Sequence, residues 1–280
     1  MQRVRYDFLR WRYGSQAILL STPPPAQFRI AYGSDPNQFA DLRLPDRADH
    51  PPIAIVIHGG FWRARYDLTH IGHLCTALAA NGIATWSIEY RRVGNFGGGY
   101  PGTFLDVAAA ANHLRSISSQ YNLDLSRVIV LGHSAGGHLA LWYAGLGQVP
   151  DDSPIFSLDS LSVLAAFSLA GVNDLKRASE LKLSSGITDE LIGGSPGDFL
   201  ERFQAASPIE LLPLGVRQFL LHGIDDDIVP VEMSQRYVES ARAKGDDATL
   251  ITFPKTGHFE LIDPASKVWT SLLQTIKSVL

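Results

Sequence analysis

The chain has 280 residues, 45% of them hydrophobic, a formal net charge of −4 and one cysteine. That length and composition suit one large α/β body with an ample core, and the acidic balance without a long basic run argues against nucleic acid as a main partner. The lone Cys75 excludes an intramolecular disulfide framework and fits a reducing, cytoplasmic setting.

In chain order, residues 1–20 mix Arg3, Arg5, Arg10 and Arg12 with aromatics and lack the apolar core of a signal peptide. The run Ser21-Thr22-Pro23-Pro24-Pro25 reads as a stiff linker, so residues 1–27 form an N-terminal extension to the catalytic body. Early strands are expected at 28–32 and 39–44, with a turn at 33–37 between them. The apolar run 53–57 reads as a fully buried parallel strand, and 69–81 as a helix closed by Gly82. A strand at 83–89, a helix at 103–119, a strand ending at Leu131 and a helix at 137–146 follow. Downstream come a strand at 163–169, an apolar run from Gln218 to His222, a helix at 233–244, a strand at 250–253 and a closing helix at 266–280. This alternation predicts a mostly parallel sheet covered by helices on both faces. Two stretches interrupt it. The glycine-rich 95–102 reads as a loop near the strand ends. Residues 171–213 form a helical excursion, with pieces at 187–192 and 198–206, that either caps the site or packs on the surface. No stretch is apolar for long enough to span a bilayer.

Chemistry concentrates in four places. Gly132-His133-Ser134-Ala135-Gly136 follows a strand directly and precedes a helix, the context of a nucleophile elbow. Small flanking residues let the chain reverse, and the helix N-terminus favours negative charge beside the serine hydroxyl. A serine needs a base, and the base an orienting acid. Past the strand at 218–222 lies His222-Gly223-Ile224-Asp225-Asp226-Asp227-Ile228-Val229-Pro230; past the strand at 250–253 lies Gly257-His258. Upstream, His58-Gly59-Gly60-Phe61-Trp62 ends the early buried strand, where close backbone approach supplies N–H donors to an oxyanion. The expected roles are Ser134 as nucleophile, His258 as base and Asp226 as acid, with Gly60, Phe61 and Ala135 as the oxyanion hole. Asp225 and Asp227 are expected to be solvated, and His58 to fix its loop.

These pieces, together with Glu89-Tyr90-Arg91, resemble the α/β-hydrolase superfamily over residues 29–280. Within it the chain resembles the esterase branch related to hormone-sensitive lipase, and especially the arylformamidase (kynurenine formamidase)-like enzymes, whose aromatic pair Phe61-Trp62 matches. Lipase-like esterases usually carry three glycines after the histidine, and this chain does not. The resemblance implies an α/β-hydrolase fold with a small helical excursion or cap, in a single domain spanning 1–280.

The expected reaction is acyl transfer through an acyl-enzyme, acting on small or medium carboxylic esters. An aryl formamide of the N-formylkynurenine type is the alternative, and peptide hydrolysis or a non-catalytic binding scaffold are further readings. Phe61, Trp62, Phe96, Tyr100 and Phe259 are candidates for an aromatic pocket. His70 and His73, at i, i+3, read as a solvated helix face rather than a ligand pair. His133 and His138 are expected to help hold the elbow. No metal, no cofactor and no membrane partner is expected; a small-molecule ester or amide is.

Overall fold

The computed structural model describes residues 9, 12, 14–47, 49–157 and 159–280. Much of the expected N-terminal extension (1–8, 10, 11 and 13) lies outside the described residues. Eight strands form one sheet: β1 (Phe28–Ala31), β2 (Phe39–Arg43), β3 (Ile53–Ile57), β4 (Ala84–Ile88), β5 (Val128–His133), β6 (Ala165–Leu169), β7 (Arg217–Gly223) and β8 (Ala248–Phe253). Their spatial order is β1-β2-β4-β3-β5-β6-β7-β8. The β1–β2 and β2–β4 pairs are antiparallel, whereas β4-β3-β5-β6-β7-β8 run parallel.

Strand periodicity divides the core in two. Ile53, Ile55 and Ile57 of β3 join Val128 and Val130 of β5 on one face; Ala54 and Val56 join Ile129 and Leu131 on the other. Both faces are covered, which is why these strands read as unbroken apolar runs. The first face carries α3 (Gly102–Ile117), α4 (Ala135–Ala144) and α8 (Glu232–Ala243), which bury Phe104, Trp142 and Tyr237. The second carries α2 (Gly72–Ala80) and α9 (Val268–Lys277), which bury Leu74, Cys75, Leu272 and Ile276. It also receives Ile18 from the short α1 (Ala17–Leu20).

The excursion over 171–213 holds three short helices, α5 (Leu175–Glu180), α6 (Ile187–Ile192) and α7 (Leu200–Ala206). The first was not foreseen from sequence. Asp174 caps it by accepting the Arg177 N–H at 2.9 Å. Two further departures are the short helix α1, inside the expected extension, and a 3₁₀ turn at Leu68–Ile71 where the helix expected over 69–81 should begin. The other expected strands and helices are present with bounds shifted by a few residues. No described helix is long and apolar enough to cross a membrane.

Parallel strands end their turns on one edge of the sheet. The loops after β3, β5, β7 and β8 therefore bring Gly60, Ser134, Asp226 and His258 to the same side.

Candidate active site

β5 delivers Ser134 to the start of α4 with φ 56° and ψ −121°, a conformation that L side chains rarely adopt. The turn is possible because its flanks lack side chains. A Cβ on Gly132 would lie 1.9 Å from the Gly136 carbonyl oxygen, and one on Gly136 would lie 2.0 Å from that of Ile57. The Ser134 N–H is tied to the Leu169 carbonyl at 2.8 Å, which fixes the elbow to β6. Ala135 opens the helix, where a backbone N–H has no intrahelical acceptor.

His258 follows β8 and donates Nδ1–H to Asp226 Oδ2 at 2.7 Å. That bond leaves Nε2 as an acceptor. Both side chains are almost wholly buried. The second Asp226 oxygen accepts the N–H groups of Ile228 and Val229, each at 2.9 Å, so the loop folds around the carboxylate. His222 braces the same loop, with Nε2 2.9 Å from the Val229 carbonyl and Nδ1 2.8 Å from Ser234 Oγ. Burial opposes the charge on Asp226, but hydrogen bonds from His222, His258 and the backbone outweigh it and hold the carboxyl well below its usual range. Asp225 and Asp227 are exposed.

The loop after β3 is strained and anchored. Gly60 has φ 108°, and Phe61 and Trp62 follow at φ 50° and 52°. A Cβ on Gly60 would meet Tyr66 at 2.5 Å. Trp62 is fully buried and its Nε1–H donates to His138 Nδ1 at 3.2 Å; the other His138 nitrogen is 2.9 Å from the Ala206 carbonyl. Burial pushes His138 down to about 4, so it is neutral at neutral pH.

The role of Glu89 was not readable from sequence. Its buried carboxylate accepts from His58 Nε2 at 2.9 Å, from the Leu68 N–H at 3.0 Å and from the Tyr90 N–H at 3.1 Å, and it pairs with Arg92 at 3.0 Å. His58 also bonds the Gly59 carbonyl at 2.8 Å and stacks on Tyr90 with ring centroids 4.5 Å apart. Arg92 donates onward to the Tyr66 carbonyl and to Asn37. Burial alone would raise the Glu89 carboxyl, yet interaction with His58 and the Arg92 guanidinium keeps it below its ordinary value. This cluster locks both ends of the 58–68 loop. The neighbouring Arg91 instead pairs with Asp106 at 2.7 Å.

Ser134 and His258 line one cavity of about 100 Å³ together with Gly60, Phe61, Tyr66 and Phe259. Its remaining walls are His70, His133, Ile228 and, unexpectedly, Leu19. Of the five aromatics expected there, only Phe61 and Phe259 line it. Trp62 is in the core, Tyr100 packs against the core's edge, and Phe96 is 95% exposed. The described lining includes no residue from 171–213; that excursion instead reaches the loop after β3 through Arg63, which donates to the Ser184 carbonyl at 2.8 Å.

Two histidines need correction or extension. His70 is not on a solvated helix face: 68–71 forms a 3₁₀ turn before the α-helix begins at Gly72, and His70 turns inward. Its burial lowers it to about 4. His133 does more than hold the elbow, because its Nε2 is 3.1 Å from the His258 carbonyl and the two rings lie 4.5 Å apart. Burial holds His133 well below its ordinary value, so it donates as a neutral ring and fixes the His258 backbone. Among the described residues, no group of three or more His, Cys, Asp or Glu is arranged to hold a metal ion.

The chain is similar to several known esterases. Esterase LipC of Mycobacterium tuberculosis is 30% identical over 263 residues, covering 85% of this chain and 60% of that protein. A probable isoprenylcysteine alpha-carbonyl methylesterase, ICMEL1 of Oryza sativa subsp. japonica, is 27% identical, covering 90% of this chain and 61% of that protein. The chain thus spans about 60% of the length of these curated relatives. A truncated carbohydrate esterase from gut microbiota shares the fold with a TM-score of 0.80 at 24% identity, over 92% of this chain and 99% of that one. An acetyl ester-xyloside bifunctional hydrolase from Caldicellulosiruptor lactoaceticus superposes with a TM-score of 0.71 at 25% identity, over 91% and 97% of the two chains. The family described as BD-FAE matches residues 40–240, and with its α/β-hydrolase sheet this chain belongs to that family.

Proposed function

We propose that this protein is a serine carboxylesterase in which Ser134, His258 and Asp226 form the triad. The observation that carries the reading is the Asp226–His258 bond at 2.7 Å, with His258 and Ser134 on the wall of one cavity. Ser134 Oγ attacks the ester carbonyl while His258 Nε2 takes its proton. Backbone N–H groups of Gly60, Phe61 and Ala135 hold the resulting oxyanion. His258 then protonates the departing alcohol, leaving an acyl group on Ser134. Water, deprotonated by His258, attacks that acyl group and releases the acid and the free serine. Buried and charged, Asp226 keeps the imidazole in one tautomer and stabilises the imidazolium formed at each step.

Esterase names among the relatives support an ester over a formamide, and the neighbouring carbohydrate and acetyl esterases recommend acetylated sugars as first trial substrates. The test is turnover of p-nitrophenyl esters from acetate to octanoate, of acetylated xylosides and of N-formylkynurenine, each against Ser134→Ala. The reading expects ester kcat/KM far above formamide kcat/KM, and no turnover above background in the variant. Formamide turnover exceeding every ester would replace it with an arylformamidase; wild type matching Ser134→Ala on all substrates would end the catalytic reading.

A further inference from the structure

The wall that closes the Ser134 cavity comes partly from α1, a four-residue helix that precedes the sheet. Leu19 is 39% exposed and lines the cavity, whereas Ile18 beside it is fully buried in the second core with Val56, Ile71 and Leu131. Consecutive helical residues point about 100° apart, so anchoring Ile18 in the core fixes the direction in which Leu19 projects.

The other end of the segment is clamped too. Arg43 Nη2–H donates to the Pro24 carbonyl at 3.1 Å. Pro23 packs so closely on Gly72 that a Cβ at position 72 would lie 2.7 Å from its Cγ. Only Leu19-Leu20-Ser21-Thr22 lies between these anchors, and the fixed φ of Pro23-Pro24-Pro25 stiffens its far end. Leu19 is thus held in place from both sides. It lies in the N-terminal segment, ahead of residues 40–240 where the family match falls.

We infer that Leu19 is a specificity-determining residue that limits the length of the carbon chain an ester can place beside Ser134. The inference rests on the esterase reading and adds the feature that sets substrate size. The cavity is about 100 Å³, and a longer chain that runs along this wall from Ser134 meets the Leu19 side chain. A methylene gained or lost in an apolar pocket changes selectivity by about 10-fold or more, so the effect is large enough to read.

The experiment compares wild type, Leu19→Ala, Leu19→Trp and Leu20→Ala, the last at a 53% exposed neighbour outside the cavity wall. Two substrate series are used: p-nitrophenyl esters of increasing acyl length, and acetates of increasing alcohol length. Leu19→Ala is expected to raise the kcat/KM ratio of the six-carbon to the shortest member about 10-fold in one series, mainly through KM. Leu19→Trp should lower it comparably, and Leu20→Ala should leave it unchanged. Binding of n-alkylboronic acids from propyl to octyl reads the same preference without turnover. Ratios and boronate preference that move less than about twofold in both Leu19 variants, or move equally in Leu20→Ala, overturn the inference. Shortest-ester turnover that Ser134→Ala abolishes tests the esterase reading separately, whatever the Leu19 ratios show.

Discussion

Asp226 bonds His258 through one carboxylate oxygen at 2.7 Å and holds its own loop through the other, which accepts the Ile228 and Val229 N–H groups. Orientation of the imidazole and folding of the acid loop are therefore one structure. Replacing Asp226 with Asn keeps a side chain of similar shape but offers the wrong hydrogen-bond partner to His258. The expected loss in kcat is about 10⁴-fold with little change in KM. Asp225→Asn and Asp227→Asn, at exposed positions, are expected to stay within about twofold of wild type. Steady-state kinetics on one short ester checks all three.

Ser134 occupies a backbone conformation suited to glycine, at φ 56° and ψ −121°. Relieving such a conformation is worth about 1 kcal/mol or more. Ser134→Gly is therefore expected to be more stable than Ser134→Ala by about 1 kcal/mol, although both lack the hydroxyl. Urea unfolding of the two inactive variants measures the difference directly. Ser134→Gly less stable than Ser134→Ala by the roughly 0.5–1 kcal/mol that glycine's chain entropy costs would show that the elbow holds no strain.

Glu89 binds His58, Arg92 and two backbone N–H groups at the base of the loop that carries Gly60 and Phe61. Glu89→Gln leaves the buried Arg92 without its charge partner, which is expected to cost about 3 kcal/mol of stability. The kcat of the remaining folded enzyme should also fall, because the loop loses its anchor. Chemical unfolding and active-site-titrated turnover separate the two effects.

Acid should destabilise the fold in two stages. Burial lowers His70 and His138 from an ordinary value near 6.5 to about 4, so the unfolded chain takes up these protons first. Their contribution is complete above pH 6.5 and is lost as pH falls towards 4, by at most about 3 kcal/mol for each. Glu89 and Asp226 are depressed carboxylates, so what they contribute is present above the normal carboxylate range and lost as pH falls through and below it. Tm followed from pH 7 to 4 should fall, and His138→Gln should flatten that slope. A flat profile in the wild type would contradict these assignments.

What the sequence made legible was local. Gly132 is required by a contact inside the five-residue elbow itself, with the Gly136 carbonyl, although Gly136 answers to the Ile57 carbonyl of β3. The Asp226 position goes with a loop that closes on its own carboxylate. The parallel strands were equally readable, because burial on both faces leaves unbroken apolar runs. Contacts between distant segments were not. Leu19 reaches the cavity only through the anchoring of Ile18 and the proline clamp, and no periodicity announces that. His70 was misread because a 3₁₀ turn precedes the helix and changes the direction of the side chain. Aromatic residues beside the motif gave no direction either: Phe61 lines the cavity while Trp62, the next residue, is buried in the core.

The most direct test of the account is to treat the protein with an alkyl p-nitrophenyl phosphonate and locate the adduct by peptide mass spectrometry. Stoichiometric labelling of Ser134 is expected, absent in Ser134→Ala and slowed at least about 10³-fold in His258→Ala, with activity lost in proportion to labelling. Labelling at another residue, or full ester turnover after Ser134 is blocked, would contradict it.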